Sequence, residues 1–318
     1  MPYTTPDRYP CPFCESVSHR LEHVRLFESR HAIAEVSDCE RTWQGGSILV
    51  WPKQHVERIS LLSTQQAMDL VQMIFQASAS VFNAFGPSGM HTFCSAGTLV
   101  GQSEAHMHFQ IQPRYRDRAY SFAPAKDLPT IRLSVREAMA AELRAHGDGQ
   151  PREEDVRRCI DFHEARMPGP GPRAAIDPDL VLEETTHFVA MCHPQSRGVG
   201  SVVVMAKRDV GCFLLLDACE RAELMILVRD ISGAIERAVS PDGLSVWWDT
   251  GAEANQAGMD FLAEIVPRFE NIPYTHQHRR EMLLGNREDH VEAVTTYRQH
   301  LRRQVANSAP RVAEDAVS

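Results

Sequence analysis

Two stretches of this chain can be written one beneath the other, and no other feature limits the possible folds as strongly. The first runs from His23 to Tyr115 and the second from Asp179 to Phe269. Each opens on alternating apolar and polar residues, Ala32 to Val36 and His187 to Met191, a strand pattern. A glycine-led apolar strand follows in each, Gly46-Ser-Ile-Leu-Val-Trp-Pro-Lys53 in one and Gly200-Ser-Val-Val-Val-Met-Ala-Lys207 in the other. Leu61-Leu62 and Leu214-Leu215-Leu216 then precede long segments of helical period, Thr64 to Phe85 and Ala218 to Val239. Both copies close on a strand ending Pro-Arg-aromatic, Pro113-Arg114-Tyr115 and Pro267-Arg268-Phe269.

A unit of strands and one long helix that occurs twice packs most simply as a pseudo-dimer, with its sheets joined or facing within one chain. The expected class is therefore α+β, an antiparallel sheet plus a long helix in each half. Expected bounds are 1–126 for the first half, 127–173 for a helical linker, 174–304 for the second half and 305–318 for a disordered tail. The linker carries two helical patterns, Leu133 to His146 and Arg152 to Met167, and a Pro-Gly-Pro-Gly-Pro run from Pro168 to Pro172.

Composition removes several classes of function. A net charge of −9 argues against a general nucleic-acid or acidic-membrane surface, so an anionic substrate needs a local pocket of donors. The apolar runs are far too short to cross a bilayer, and the amino terminus lacks a basic-then-apolar leader, which places the protein in the cytoplasm. Of eight cysteines only Cys11 and Cys14 form a motif, which suits reduced thiols with one metal site better than a disulfide framework.

Most of the chemistry sits in Gly101-Gln-Ser-Glu-Ala-His106-Met-His108-Phe-Gln110-Ile-Gln112-Pro-Arg114. On a strand, His106, His108, Gln110 and Gln112 share one face, while Met107, Phe109 and Ile111 share the other. Three apolar residues would then face a core, and imidazole and amide groups would line a site.

Gly-Gln-Ser, two residues, His-x-His-x-Gln and Pro-Arg together resemble the signature of the histidine-triad superfamily. Gly46 to His55 is similar to its second motif, and Cys11-Pro-Phe-Cys14 stands upstream in the family's order. Glutamine at the third triad position resembles the galactose-1-phosphate uridylyltransferase and diadenosine-tetraphosphate phosphorylase branch, whereas hydrolases of the superfamily usually keep histidine there. The uridylyltransferases also carry two histidine-triad-like halves in one chain, with chemistry in the first. The resemblance implies a nucleotidyltransferase in which His108 is the nucleophile, its tautomer fixed by a backbone carbonyl.

Cys-x-x-Cys spacing lets two thiolates reach one tetrahedral Zn²⁺. The resemblance supplies the remaining ligands as His55 and His106, giving a closed, structural Cys₂His₂ site. Neutral imidazole is available at cytoplasmic pH and forms a reactive phosphoramidate, which suits His108 as nucleophile. Gln110 can hydrogen-bond a phosphoryl oxygen but cannot protonate a leaving group, so the leaving group should be a phosphate or polyphosphate, not an amine. Gly101, Gln102 and Ser103 are the expected phosphate cradle, with backbone and side-chain donors. Ser95 stands where many family members have asparagine. Lys53 and Arg114 are cationic, but each reads more readily as a solvated strand end.

Pairing the copies through Pro-Arg sets Asp260, Leu262 and Glu264 against His106, His108 and Gln110, with Asp209 against His55. Leucine cannot be a nucleophile, so the second half is expected to be catalytically silent and to lack the second metal of some uridylyltransferases. Trp247 and Trp248 would line an acceptor pocket or fill the core. His276-Gln-His278 mimics the triad spacing beyond the repeat and reads as an exposed loop.

The expected activity is transfer of a nucleotidyl group from a nucleoside diphosphate or polyphosphate derivative to a phosphate-bearing acceptor. Its partners are small nucleotide and phosphate compounds, not nucleic acid or membrane, for a monomer or homodimer. A nucleotide hydrolase with the same nucleophile, and a non-catalytic nucleotide-binding regulatory protein, are the rival readings.

Overall fold

The computed structural model describes residues 10–18, 24–39, 46–116, 120, 127–147, 149–157, 176–192, 200–254, 256, 260–271 and 287–308. Ten strands form one antiparallel sheet. In the first half these are β1 (Arg25–Glu28), β2 (Ala32–Val36), β3 (Ile48–Pro52), β4 (Gly89–Ala96) and β5 (Phe109–Arg114). The second half repeats them as β6 (Val181–Glu184), β7 (Phe188–Cys192), β8 (Val202–Ala206), β9 (Gly243–Thr250) and β10 (Leu262–Arg268). Their order across the sheet is β1-β2-β3-β5-β4-β9-β10-β8-β7-β6, which reads equivalently from either edge. The halves are therefore joined edge to edge, through β4 and β9, into the expected α+β pseudo-dimer.

Helix α1 (Pro12–Val17) precedes the sheet, and α2 (Thr64–Phe85) and α4 (Ala218–Val239) are the long helices of the repeat. Both long helices start on a capping box. Ser63 accepts from the Gln66 N–H while Gln66 accepts from the Ser63 N–H, and Asp217 and Glu220 do the same in the second copy. These reciprocal bonds satisfy orphan donors at each start. At the other end α2 stops on Gly86 with φ +51°.

The register reproduces the repeat strand by strand. Ile111 pairs with Ile48 as Ile265 pairs with Val202, and the Met107 N–H donates to the Val56 carbonyl as the Phe261 N–H donates to that of Val210. Asp260, Leu262 and Glu264 thus occupy the second-half places of His106, His108 and Gln110.

Period-two alternation gives the sheet two unlike faces. Ala34, Val50, Phe109, Cys94, Val246, Trp248 and Ile265 pack beneath α2 and α4 in one large core. Trp248 holds its ring 5.4 Å from Phe109 and 5.0 Å from Phe213. Trp248 is therefore a core residue, whereas Trp247, one position along, belongs to the opposite face. On that face α1 covers the first half through Phe13, Trp51 and Ile33.

One helix lies beyond the expected repeat. Helix α5 (Arg287–Ser308) packs against α4 and the β6 edge, burying Val294 and Tyr297. It runs through 305–308, the start of the segment expected as a tail. Between the halves, α3 (Leu133–Ala145) matches the first linker pattern. The second pattern is helical over 153–157, and its remainder, the Pro-Gly run, His276 to His278 and 309–318 lie outside the described residues.

Candidate active site

Strand β5 starts at Phe109, so His106 and His108 precede the regular ladder and are held by other bonds. His106 is fully buried, and its Nε2 donates to the Pro52 carbonyl at 2.8 Å, which leaves Nδ1 with its lone pair. That nitrogen lies 3.5 Å from Cys11 Sγ and 3.6 Å from Cys14 Sγ, and His55 Nδ1 lies 3.3 Å from Cys14 Sγ. All four ligand atoms fall within 4.8 Å of one another. A tetrahedral zinc with ordinary bond lengths sets sulfur and nitrogen ligands about 3.6 Å apart, so these residues fit that ion. Burial, ahead of the neighbouring His55 and His108 rings, pushes His106 down to about 4, which keeps it in its metal-binding neutral form. The Cys14 thiol is pushed up to about 11, first by burial and then by Cys11.

The same arm reaches the second histidine. Phe13, between the two cysteines, packs its ring 4.7 Å from Trp51, 5.5 Å from His106 and 4.9 Å from His108. His108 is 9% exposed, and its Nδ1 donates to the His106 carbonyl at 3.0 Å. A carbonyl only accepts, so the hydrogen is on Nδ1 and the lone pair is on Nε2. Burial lowers the basicity of the ring, opposed by that same bond, and favours the neutral nucleophilic form.

Gln110 is held through Gln112 and Ser47. Ser47 Oγ donates to Gln112 Oε1 at 2.9 Å, and Gln112 Nε2 donates to Gln110 Oε1 at 3.2 Å. With its carbonyl engaged by Gln112, Gln110 is left with its amino group as the donor it can offer a ligand. Alternation along the strand signalled Gln112, but not the direction of this relay.

The loop before the histidines departs from the expected cradle. Gly101 has φ +81°, a conformation that favours glycine, but its N–H donates to the Thr98 carbonyl at 3.1 Å. The Gln102 N–H donates to Gly97, its Oε1 accepts from the Gly97 N–H at 2.7 Å, and its Nε2 donates to the Glu57 carbonyl at 3.2 Å. The second half repeats the arrangement: Gln256 Oε1 accepts from Gly251, and Nε2 donates to Gly211. Gln102, 4% exposed, is thus a loop clamp of the fold itself, and its expected phosphate-binding side chain is turned inward. Ser103 remains exposed.

The two cations differ from their expected setting or confirm it individually. Lys53 pairs with Glu28 at 2.5 Å, a strand-end ion pair mirrored by Lys207 and Glu184. Arg114 is 9% exposed, with its guanidinium over the Tyr120 ring, instead of solvated. Sequence position alone could not distinguish these fates, because both residues end strands.

No family model matches the chain. Over 141 residues it is 26% identical to "Protein hit" of Bacillus subtilis (strain 168), covering 41% of this chain and 95% of that protein. A solved uridylyltransferase structure superposes with a TM-score of 0.58 over 87% of this chain and 86% of that one, at 15% identity. An ADP-glucose phosphorylase from Arabidopsis thaliana, solved with bound ADP-glucose, superposes with a TM-score of 0.57 over 92% of each chain, at 12% identity. The fold is therefore shared along nearly the whole chain, both halves included. Among the described residues no helix is long and apolar enough to cross a membrane.

Proposed function

We propose that the chain is a nucleotidyltransferase of the histidine-triad superfamily, working through a nucleotidyl group carried on His108. The observation that carries this reading is the pairing of a fixed tautomer with an oriented amide. His108 Nδ1–H is held by the His106 carbonyl, and the Gln110 carbonyl is engaged through Gln112 and Ser47, which leaves its N–H to donate. The names of two proteins with this fold, a uridylyltransferase and an ADP-glucose phosphorylase, support the reaction class.

In the first step His108 Nε2 attacks the α-phosphorus of a nucleoside diphosphate or polyphosphate derivative. The N–P bond forms, the bridging P–O bond breaks, and the phosphate-terminated fragment leaves with the electron pair. The His106 carbonyl stabilises the positive ring that results, and Gln110 donates to a non-bridging oxygen. No proton donor is needed, because a phosphate ester leaves unaided, with a second pKa of about 6. In the second step an acceptor phosphate oxygen attacks phosphorus, the N–P bond breaks, and neutral His108 returns. Ser103 is the exposed donor of the loop.

Cys11, Cys14, His55 and His106 would hold a structural zinc, whose charge the two thiolates would balance and which would cross-link the base of the site. Its ligands tie α1 to the residues preceding β5, and their side chains do no chemistry on the substrate.

The test is incubation with α-phosphate-labelled UDP-glucose, diadenosine tetraphosphate and nucleoside triphosphates. Acid-labile, alkali-stable label on the protein, lost in His108→Ala and discharged by phosphate or a sugar phosphate, is the expected result. Label that persists in His108→Ala removes the nucleophile, and discharge to water at one rate whatever the acceptor makes the protein a hydrolase.

A further inference from the structure

The seam between the halves is chemically lopsided. Gly97 and Gly251 are equivalent, each donating to its own clamp glutamine, so Ser95 and Asp249, two residues before them, are equivalent as well. By the same reckoning His91 matches Ser245. Across the seam Ser95 pairs with Ser245 and His91 pairs with Asp249. A symmetric seam would show the same pair twice. Instead one end has two small hydroxyls and the other has an imidazole hydrogen-bonded through Nδ1 to a carboxylate.

The ends differ in what stands beside them. Phe109 pairs with Cys94, so His108, which enters the strand just ahead of the ladder, lies toward the Ser95 end of the seam. Ala263 pairs with Trp248, so Leu262, the silent counterpart of His108, continues beside Asp249. The His–Asp pair thus sits where the second half has lost its nucleophile. Four residue steps of extended chain lead from Ser95 to His91, a span of about 13 Å. Between them Phe93 pairs with Gln110 on one side and Trp247 on the other, and stacks on His91 at 4.8 Å and 27°. An aromatic floor therefore leads from the nucleophile's end of the seam to the pair.

We infer that His91 and Asp249, one from each half, form a subsite for the ring hydroxyls of the phosphate-terminated fragment exchanged at His108. This rests on the proposed function and names the recognition that the silent half contributes. A carboxylate accepts, so the Nδ1 hydrogen points to Asp249 and the Nε2 lone pair is left to accept. The His91 side chain is 15% exposed, and Nε2 has no partner among the described residues. With a neutral ring the pair carries one negative charge, and with a protonated ring none. Neither state attracts a phosphate dianion, whereas a hydroxyl donates to Nε2 in the first. Flat aromatic surface beside a hydrogen-bond acceptor suits a polyhydroxylated ring, either a sugar or the ribose of a second nucleotide.

The experiment compares His91→Leu and the near-isosteric Asp249→Asn with the unaltered protein. Calorimetric titrations use glucose 1-phosphate, ADP and orthophosphate. Both variants should bind the hydroxyl-bearing probe about tenfold more weakly relative to orthophosphate, the scale of one hydrogen bond. Whether glucose 1-phosphate or ADP shows the loss distinguishes sugar from ribose. In discharge of labelled protein, the rate ratio of that probe to orthophosphate should fall by the same factor. Equal weakening for all three probes, no weakening, or no binding of either hydroxylated probe to the unaltered protein overturns the inference. Because the titrations need no turnover, absence of label on His108 would count against the proposed reaction and leave this subsite to stand or fall on binding.

Discussion

The ring of Phe13 lies 4.9 Å from that of His108, tilted by 37°, although the two residues belong to an amino-terminal helix and the centre of the sheet. Because Phe13 sits between Cys11 and Cys14, the arm that carries half of the candidate zinc ligands also walls in the candidate nucleophile. The cluster of Cys11, Phe13, Ile33 and Trp51 fixes that arm to the open face of the first half.

Phe13→Ala should therefore change the acidity of His108. Burial holds the ring below its ordinary value, so admitting water lets it rise toward about 6.5. The neutral form is the nucleophile and exists above that value, so the acid limb of kcat/KM moves to higher pH. The cost in stability should be about 3 kcal/mol or more, the usual range for a buried phenylalanine. A pH–rate profile with unmoved acid limb would separate Phe13 from the nucleophile.

Stripping the metal proposed for the Cys11, Cys14, His55 and His106 cluster should loosen the first half and leave the second. Hydrogen exchange after chelation should accelerate over residues 11–18 and 53–57, with α4 unchanged, because α4 draws its packing from the common core. The metal-free protein should also lose stability as pH falls. His106 in the folded chain titrates at about 4, against about 6.5 when unfolded. Between those values the unfolded chain binds more protons, so this contribution is present above about 6.5 and is lost toward 4. Urea midpoints measured across that window check the sign.

The two clamp glutamines should separate structure from chemistry. Gln102→Ala and Gln256→Ala each leave a loop N–H and carbonyl without their amide partner, at a cost of about 1–3 kcal/mol. Only Gln102→Ala should also lower kcat, since its loop leads to His108. Equal activity in the two variants would show that the first loop has no bearing on the reaction.

Gln112→Leu should act through Gln110. Losing the Nε2 donor frees the Gln110 amide to rotate, so its N–H is no longer imposed as the donor. A fall in kcat of about tenfold with KM little changed is expected, because the bond matters most where charge shifts on the non-bridging oxygens in the transition state. A change confined to KM would assign Gln112 to substrate binding instead.

Much of this arrangement was legible in the chain. Thr64 to Phe85 and Ala218 to Val239 carry their own capping boxes and helical period, and they fold over those spans. Cys11, Cys14, His55 and His106 could be grouped only with help from the resemblance, since 92 positions separate Cys14 from His106. Helix α5 was missed because its polar, weakly patterned sequence depends on α4 and the β6 edge for burial.

By itself the sequence determined the repeat, the alternating strands, the long helices and the asymmetry of His108 against Leu262, all of which follow from side-chain period and identity along neighbouring positions. Only the tertiary structure decided that β4 meets β9, and with that register which residues face each other across the seam. It also decided the inward turn of Gln102, the relay from Ser47 to Gln110, the wall made by Phe13 and the pairing of His91 with Asp249. Each depends on the direction of a hydrogen bond or ring contact between residues far apart in the chain, and such directions are set by packing after the strands have found their register.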